Sequence, residues 1–238
     1  MKQVLCVSTL ITGVGLIIAG ASAAQAQDGS MYITLKGATA FTMRSSYDPV
    51  DNNPLDKYST DFSDEWAVSG AVGTRLNEFI RLEAELGYLK NTIEDIDSNA
   101  FILTRGGGTS FSTSYLMGSV FFDLPLNDQL AVFAGGGIGV TKPNMQKTEV
   151  NVSGSPYTET RTMETEDVYA FAFKLSGGVA YEMIENVHLI ADYSYLRTSD
   201  FDVKHITRYN STPPTASKNT LQTNIETHMI GVGLRYDF

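Results

Sequence analysis

The sequence predicts an all-β protein: an eight-stranded antiparallel transmembrane β-barrel of up-and-down type, with four long outer loops and three short periplasmic turns. Three observations carry this. After Ser30 the chain alternates with a period of two in eight segments, the pattern of strands. The links between them are alternately long and short, which collects the long loops at one end and the tight turns at the other. The polar face of the segments is mostly Gly, Ala and Ser, a composition suited to a crowded interior and not to a solvated surface.

Composition narrows the function classes. The 238 residues carry 17 Lys+Arg against 27 Asp+Glu, a formal charge of -10, which makes the chain a poor partner for phosphate backbones and argues against nucleic acid. Charged residues are 18%, below the soluble norm, and 21 Gly and 11% aromatics are plentiful. A mean hydropathy of -0.09 excludes a bundle of transmembrane helices but not a membrane barrel, whose strands alternate.

Residues 1–26 read as a cleaved signal peptide, with residues 27–238 as the barrel domain. Lys2 precedes an apolar core from Val4 to Ala19, and Ala24-Gln25-Ala26 supplies a peptidase exit. The apolar core is short for a membrane span. Cys6, the one cysteine, leaves with this segment, so neither a disulfide framework nor a cysteine-ligated metal site is expected. Loss of Lys2 leaves the exported chain one charge more negative.

The segments are 31–44, 66–76, 79–90, 112–124, 129–141, 168–183, 186–197 and 226–238, each about the length of a tilted strand crossing a bilayer or a little longer. The first turns Lys36 inward. In the second, Trp66, Val68, Val72 and Leu76 oppose Ala67, Ser69, Ala71, Gly73 and Arg75. The turn Asn77-Glu78 leads to the third, where Ile80, Leu82, Ala84, Leu86 and Tyr88 point out and Arg81, Glu83 and Glu85 point in. The fourth ends at the turn Pro125-Leu126-Asn127-Asp128. In the fifth, Leu130, Val132, Ala134, Ile138 and Val140 oppose Ala131, Phe133, Gly135, Gly137 and Gly139. In the sixth, Phe171, Phe173, Leu175, Val179 and Tyr181 oppose Ala170, Ala172, Lys174, Ser176, Gly178 and Ala180. Ile184-Glu185 turns the chain into the seventh, with Asp192 inward, and the eighth places Arg235 inward. The long links are 45–65, 91–111, 142–167 and 198–225.

Small residues suit the concave side of a narrow barrel, so the bulky apolar face looks outward and must meet lipid. Lys36, Arg75, Arg81, Glu83, Glu85, Lys174, Asp192 and Arg235 then form a lumen charge network, bridged across the axis because unpaired buried charges are costly. Tyr32, Trp66, Tyr88, Tyr181 and Tyr236 fall near segment ends, where interfacial aromatic girdles belong.

The stretches FIRLEAELGYL, YLMGSVFFDLPLNDQLAVFAGGGIGV, FKLSGGVAYEMIENVHLIADYSYL and MIGVGLRYDF resemble the small outer-membrane barrels of the opacity-type/OmpA-like porin family and the related surface antigens of alphaproteobacteria. Ser119 and Ser194 stand where family members often carry Asn and Arg. The resemblance implies that Ile230, Val232, Leu234, Tyr236 and Phe238 form the C-terminal signal read by the outer-membrane insertion machinery. It also implies outer-membrane lipids as surroundings.

Other motifs give little. Gly135-Gly136-Gly137-Ile138-Gly139 lies within a strand with no helix to follow, unlike a dinucleotide loop. Arg105-Gly106-Gly107-Gly108 lacks the Lys-Ser/Thr of a phosphate loop. Asp95-x-Asp97-x-Asn99 begins like a calcium loop but has Ala100 and Gly106 where Gly and Glu belong. The acidic run Asp48, Asp51, Asp56, Asp61, Asp64 and Glu65 reads as a solvated loop. Of the histidines, His188 lies inward near a turn, His205 sits in the last long loop near Asp200 and Asp202, and His228 begins the last strand; none has a nucleophile and an orienting group beside it in sequence.

The expected function is that of a non-enzymatic outer-membrane platform, without cofactor or metal, whose outer loops contact an extracellular or host ligand. The alternatives are a narrow porin for small solutes and a lipid-modifying enzyme of the outer leaflet using His205 and His228.

Overall fold

The structure, a computed structural model, describes residues 30–43, 45–49, 58–98, 109–145, 148–152, 159–164, 168–209 and 215–238. Residues 1–26, expected to be a cleaved signal peptide, and Arg105-Gly106-Gly107-Gly108 lie outside the described residues. The strands are β1 Met31–Thr42, β2 Ser45–Pro49, β3 Tyr58–Arg75, β4 Ile80–Ser98, β5 Thr109–Pro125, β6 Leu130–Met145, β7 Thr148–Val152, β8 Glu159–Glu164, β9 Ala170–Ile184, β10 Val187–Thr198, β11 Phe201–Tyr209, β12 Thr215–Thr223 and β13 Glu226–Asp237.

Eight of them close into an antiparallel barrel in the cyclic order β1, β3, β4, β5, β6, β9, β10, β13. Closure rests on β1. One edge pairs with β13, from Tyr32↔Asp237 to Thr42↔Thr227, and the other with β3, from Met31↔Thr74 to Thr39↔Trp66. No edge then remains within the barrel wall, which lets a sheet stand in hydrocarbon where unpaired backbone groups find no water. Among the described residues no helix is long and apolar enough to cross a membrane.

Two of the short turns share one chemistry. Asn77 Oδ1 accepts from the N–H groups of Phe79 (2.9 Å) and Ile80 (2.8 Å), and Asn127 Oδ1 accepts from those of Gln129 (2.9 Å) and Leu130 (2.8 Å). The side-chain oxygen replaces a ladder acceptor at each reversal. The third turn places Asn186 at φ 66°, a left-handed position that Asn tolerates better than most residues.

At the other end the chain departs from expectation. The links 45–65, 91–111, 142–167 and 198–225 are largely strand. β3 and β4 run on together to Tyr58↔Ser98, β11 pairs with both β8 and β12, and β7 pairs with β8. Asp95 and Asp97 therefore lie in β4, and His205 lies in β11 opposite Met163 and Asn219. These stretches are rich in Thr, Ser, Asn and charged residues, and hydrophobic periodicity does not register such strands.

The exterior is bulky and apolar: Leu35, Phe122, Ile138, Phe171, Leu175, Ile230 and Val232 are each more than half exposed. An apolar band on this scale would be unfavourable in water and is at ease in acyl chains. Inside, Leu89, Met117, Leu196, Ala40, Ala67, Ala172 and Met229 pack as an apolar cluster toward the outer end, and Phe121, Phe133, Ala180 and Ile190 as a second toward the turns. Glycines make room for the larger lumen side chains. A Cβ at Gly73 would collide with the Tyr32 ring, and one at Gly87 with the Tyr115 ring.

Gly87→Val should therefore destabilise the barrel by about 1–3 kcal/mol through overpacking, measured by urea unfolding in detergent micelles. Gly37→Val, where a Cβ would meet nothing within 4 Å, should change stability by less than about 0.5 kcal/mol.

Candidate functional site

The lumen carries two polar layers. In the middle layer four charges of alternating sign cross the axis. Asp192 on β10 meets Lys36 on β1 at 3.3 Å, Lys36 approaches Glu85 on β4 at 3.9 Å, and Glu85 is bound by Lys174 on β9 at 2.6 Å. None of these contacts joins adjacent strands: Asp192–Lys36 and Lys36–Glu85 each skip one strand of the ring and Glu85–Lys174 skips two, so the layer spans the lumen. The Tyr115 hydroxyl donates to Glu85 at 3.0 Å, and the Ser194 hydroxyl donates to Asp192 at 3.0 Å while lying 2.9 Å from Ser176. Glu85 and Lys174 are almost wholly buried. At that depth a charge is tolerated only with its partners in place.

The second layer lies nearer the turns. The Arg81 guanidinium bonds Asp123 (2.9 Å) and Glu83 (3.1 Å) and lies over the Phe121 and Phe133 rings, 4.1 and 4.9 Å from their centroids. Arg75 bonds the other Asp123 oxygen at 3.0 Å and reaches Asp237 at 3.6 Å, and His188 meets Asp237 at 2.7 Å. Three guanidiniums, from Arg75, Arg81 and Arg235, surround the Tyr32 ring at 6.0, 5.6 and 5.5 Å from its centroid. Cation–π attraction and the Tyr32 hydroxyl, which donates to Glu83 at 3.0 Å, hold this crowded group.

The outer mouth carries polar groups from β1, β3 and β4. Thr42 donates to Glu65 from both its N–H (2.5 Å) and its hydroxyl (2.7 Å), and its hydroxyl accepts from Asn91 at 2.8 Å. Burial raises the Glu65 carboxyl above its ordinary value, against the lowering effect of the two bonds from Thr42.

The structure places all eight residues named from sequence as a lumen charge network in these two layers, five basic and three acidic. The missing carboxylates are Asp123 and Asp237. Both were legible by parity: Asp123 shares the inward face with Phe121, and Asp237 shares it with Arg235. Tyr32 is a correction. It is fully buried in the lumen and is no girdle residue, because its parity is that of Lys36 and Gly73 gives its ring space. Trp66, Tyr88, Tyr181 and Tyr236 do stand on the outer face, with Trp66 and Tyr88 rings 5.9 Å apart. Glu65 is a second correction, a half-buried acceptor inside the mouth where a solvated loop residue was expected. The side chains of Asp48, Asp51, Asp56, Asp61, Asp64 and His205 lie outside the described residues.

His228 faces outward from β13. Its Nδ1 lies 2.5 Å from the Tyr193 hydroxyl, and its ring packs 5.1 Å from Tyr195. The terminal residues Ile230, Val232, Leu234, Tyr236 and Phe238 all lie on the lipid-facing side. Among the described residues no group of three or more His, Cys, Asp or Glu side chains is arranged to hold a metal ion.

Residues 11–238 match the outer membrane protein beta-barrel domain family. An uncharacterized protein of Brucella abortus (strain 2308) is 24% identical over 207 residues, 75% of this chain and 71% of the relative. Among solved structures, the outer membrane protein OprG from Pseudomonas aeruginosa superposes with a TM-score of 0.60 at 14% identity, covering 88% of this chain and 96% of that one. The outer membrane protease OmpT from Escherichia coli gives 0.52 at 9% identity, covering 88% and 97%. At these identities the two structures speak for the fold alone.

Lys174→Met leaves Glu85 with the longer contact to Lys36 as its one ion pair, beside the Tyr115 hydroxyl, and should destabilise the barrel by about 3–5 kcal/mol. Adding Glu85→Gln should recover most of that loss in the same urea titration. For Glu65 the sign is opposite to that of a paired carboxylate. A raised value means the folded state holds the proton more tightly, so stability from this group is highest at acid pH and declines as pH rises through its folded value. Glu65→Gln should remove that decline, worth less than about 1 kcal/mol in this half-exposed setting, when unfolding curves at acid and neutral pH are compared with wild type.

Proposed function

The chain belongs to the outer membrane protein beta-barrel domain family and resides in the cell outer membrane, and from that premise we propose that it serves as a non-enzymatic platform whose outer strands form the contact surface. The observation that carries this reading is the filled lumen. Two ion-pair layers and two apolar clusters occupy an axis that a solute would have to traverse, and the mid-lumen space beside Lys36, Glu85 and Lys174 is only about 20 Å³. Such an interior stabilises a scaffold at the expense of conduction. The outer ladders of β2, β7, β8, β11 and β12 stand on this rigid base, where binding surfaces commonly sit. Their ligand is an extracellular or host surface group. The alternating stretch from Ile230 to Phe238 serves the insertion machinery.

A narrow porin is the second reading. It is favoured by the polar character of the lumen, because the Asp192–Lys36–Glu85–Lys174 chain could exchange partners and let water through. Catalysis is disfavoured by the setting of two histidines, since His188 is tied to Asp237 and His228 to Tyr193 on the lipid side.

Planar-bilayer recording of the refolded full chain separates the two readings. The platform predicts silence, and reproducible single-channel steps would replace it with the pore. Exchanging the segments 146–167 and 202–223 for short turns should leave heat-modifiable migration on SDS gels intact, as a self-sufficient base requires. Joint replacement of His205 and His228 should leave lipid A composition unchanged.

A further inference from the structure

The lysines and arginines of the barrel wall are sorted by face and by height. Among the described residues, Lys36, Arg75, Arg81, Lys174 and Arg235 point into the lumen. Lys90, Lys142 and Arg197 point outward, since their neighbours Leu89, Thr141 and Leu196 are buried inside. A rung of the ladder followed from Phe41 on β1 through each strand in turn returns to β1 at Met31. Each strand crossed in that direction therefore descends by about 3 Å toward the turns, and each residue along a strand spans about 2.5 Å of height. On that pitch the three outward cations lie within about 4 Å of one level, and about 25 Å from Tyr181 and Tyr236 at the turn end. That separation is the height of the apolar band of a membrane barrel, so the cations stand at its outer edge. At the turn end no lysine or arginine among the described residues faces lipid, and the turns carry Glu78, Asp128 and Glu185. In a chain of net charge -10 this sorting is no by-product of composition.

Two of the three cations share one strand between them. Lys90 on β4 pairs with Ser112 on β5, and Ser114 on β5 pairs with Lys142 on β6. The outer face of β5 thus presents two hydroxyls flanked by two lysines, whose long stems let the ammonium groups lean over the strand. Trp66 is the ladder partner of Lys90, and Lys142 lies 5.4 Å from the centroid of the Tyr169 ring. Toward the midplane the same three strands turn Leu86, Leu116 and Val140 outward. Arg197 stands two strands farther round and meets Glu226 at 3.2 Å.

We propose that Lys90 and Lys142 bind the phosphate of an outer-leaflet lipid headgroup above Ser112 and Ser114, with the acyl chains of that lipid on Leu86, Leu116 and Val140. Ammonium and hydroxyl groups donate, and phosphate oxygens accept, so the four side chains complement the headgroup in charge and in hydrogen bonding. Basic groups at a membrane surface draw anionic lipid toward them. Their confinement to one edge of the apolar band assigns the anionic headgroup to the outer leaflet. The site rests on residence in the outer membrane and is separate from the outer contact surface, so it stands or falls independently of the platform reading.

Trp66 is the one tryptophan of the chain and sits beside Lys90, so its fluorescence reports on this place. The full chain is folded into phosphatidylcholine vesicles that contain either brominated phosphatidic acid or brominated phosphatidylcholine, and Trp66 quenching is compared. Phosphatidic acid should associate about ten-fold or more tightly than phosphatidylcholine. Joint Lys90→Gln and Lys142→Gln should remove that preference with heat-modifiable migration unchanged, and joint Lys90→Arg and Lys142→Arg should retain it. Arg197→Gln should change it by less than about two-fold, because charges that far apart on the surface are screened. Added inorganic phosphate should not relieve the quenching, since it lacks the chains. Equal quenching by the two lipids, indifference to the double glutamine variant, relief by free phosphate, or an equal loss with Arg197→Gln would each overturn the site.

Discussion

Closure of the sheet through β1 is the constraint from which the rest follows. An open eight-stranded sheet in hydrocarbon would leave two rows of unpaired N–H and C=O groups; bonding β1 to both β3 and β13 removes them. Closing so few strands leaves an axis only wide enough for side chains. Polarity is then inverted relative to a soluble protein, with Leu35, Ile138 and Phe171 outside and Glu85, Lys174 and Arg81 within. Every interior charge must find its partner inside the barrel, since the bilayer offers none.

The interior meets that demand unevenly. The middle layer is a chain of alternating charges between non-adjacent strands, and it braces the wall against flattening as it neutralises itself. Nearer the turns, three arginines converge on one tyrosine, and their charge is answered by carboxylates from β4, β5 and β13. Arg81 is engaged there by two carboxylates and the Phe121 and Phe133 faces, whereas Arg235 has the Tyr32 ring and one longer ion pair, to Asp237. Arg75 is the most exposed of the three arginines and faces the space at the turn end.

The outer end shows the converse economy. Its strands continue the barrel ladders, as β3 and β4 run on together and β2, β12, β11, β8 and β7 pair in succession from β3. A rigid root with polar ladders above it gives a defined backbone to segments whose composition alone would suggest loops. Glu65 and Thr42 mark where the two regimes meet, with carboxylate and hydroxyl closing the mouth of the lumen.

Much of this was legible in the chain itself, because a strand's side-chain parity is a local property. Once Lys36, Arg81 and Lys174 are read as inward, every second residue follows, and Tyr32, Asp123 and Asp237 obeyed that parity even where other cues pointed elsewhere. The sequence by itself determined the barrel, its inverted faces and eight of the charges inside it. Only the tertiary structure decided which charges meet, that Glu85 takes Lys174 across the axis, that Arg235 lies over the Tyr32 ring, and that the outer links are built as ladders. Those outcomes depend on strand stagger and on which walls face each other after closure, relations between residues far apart in the chain that no local period encodes.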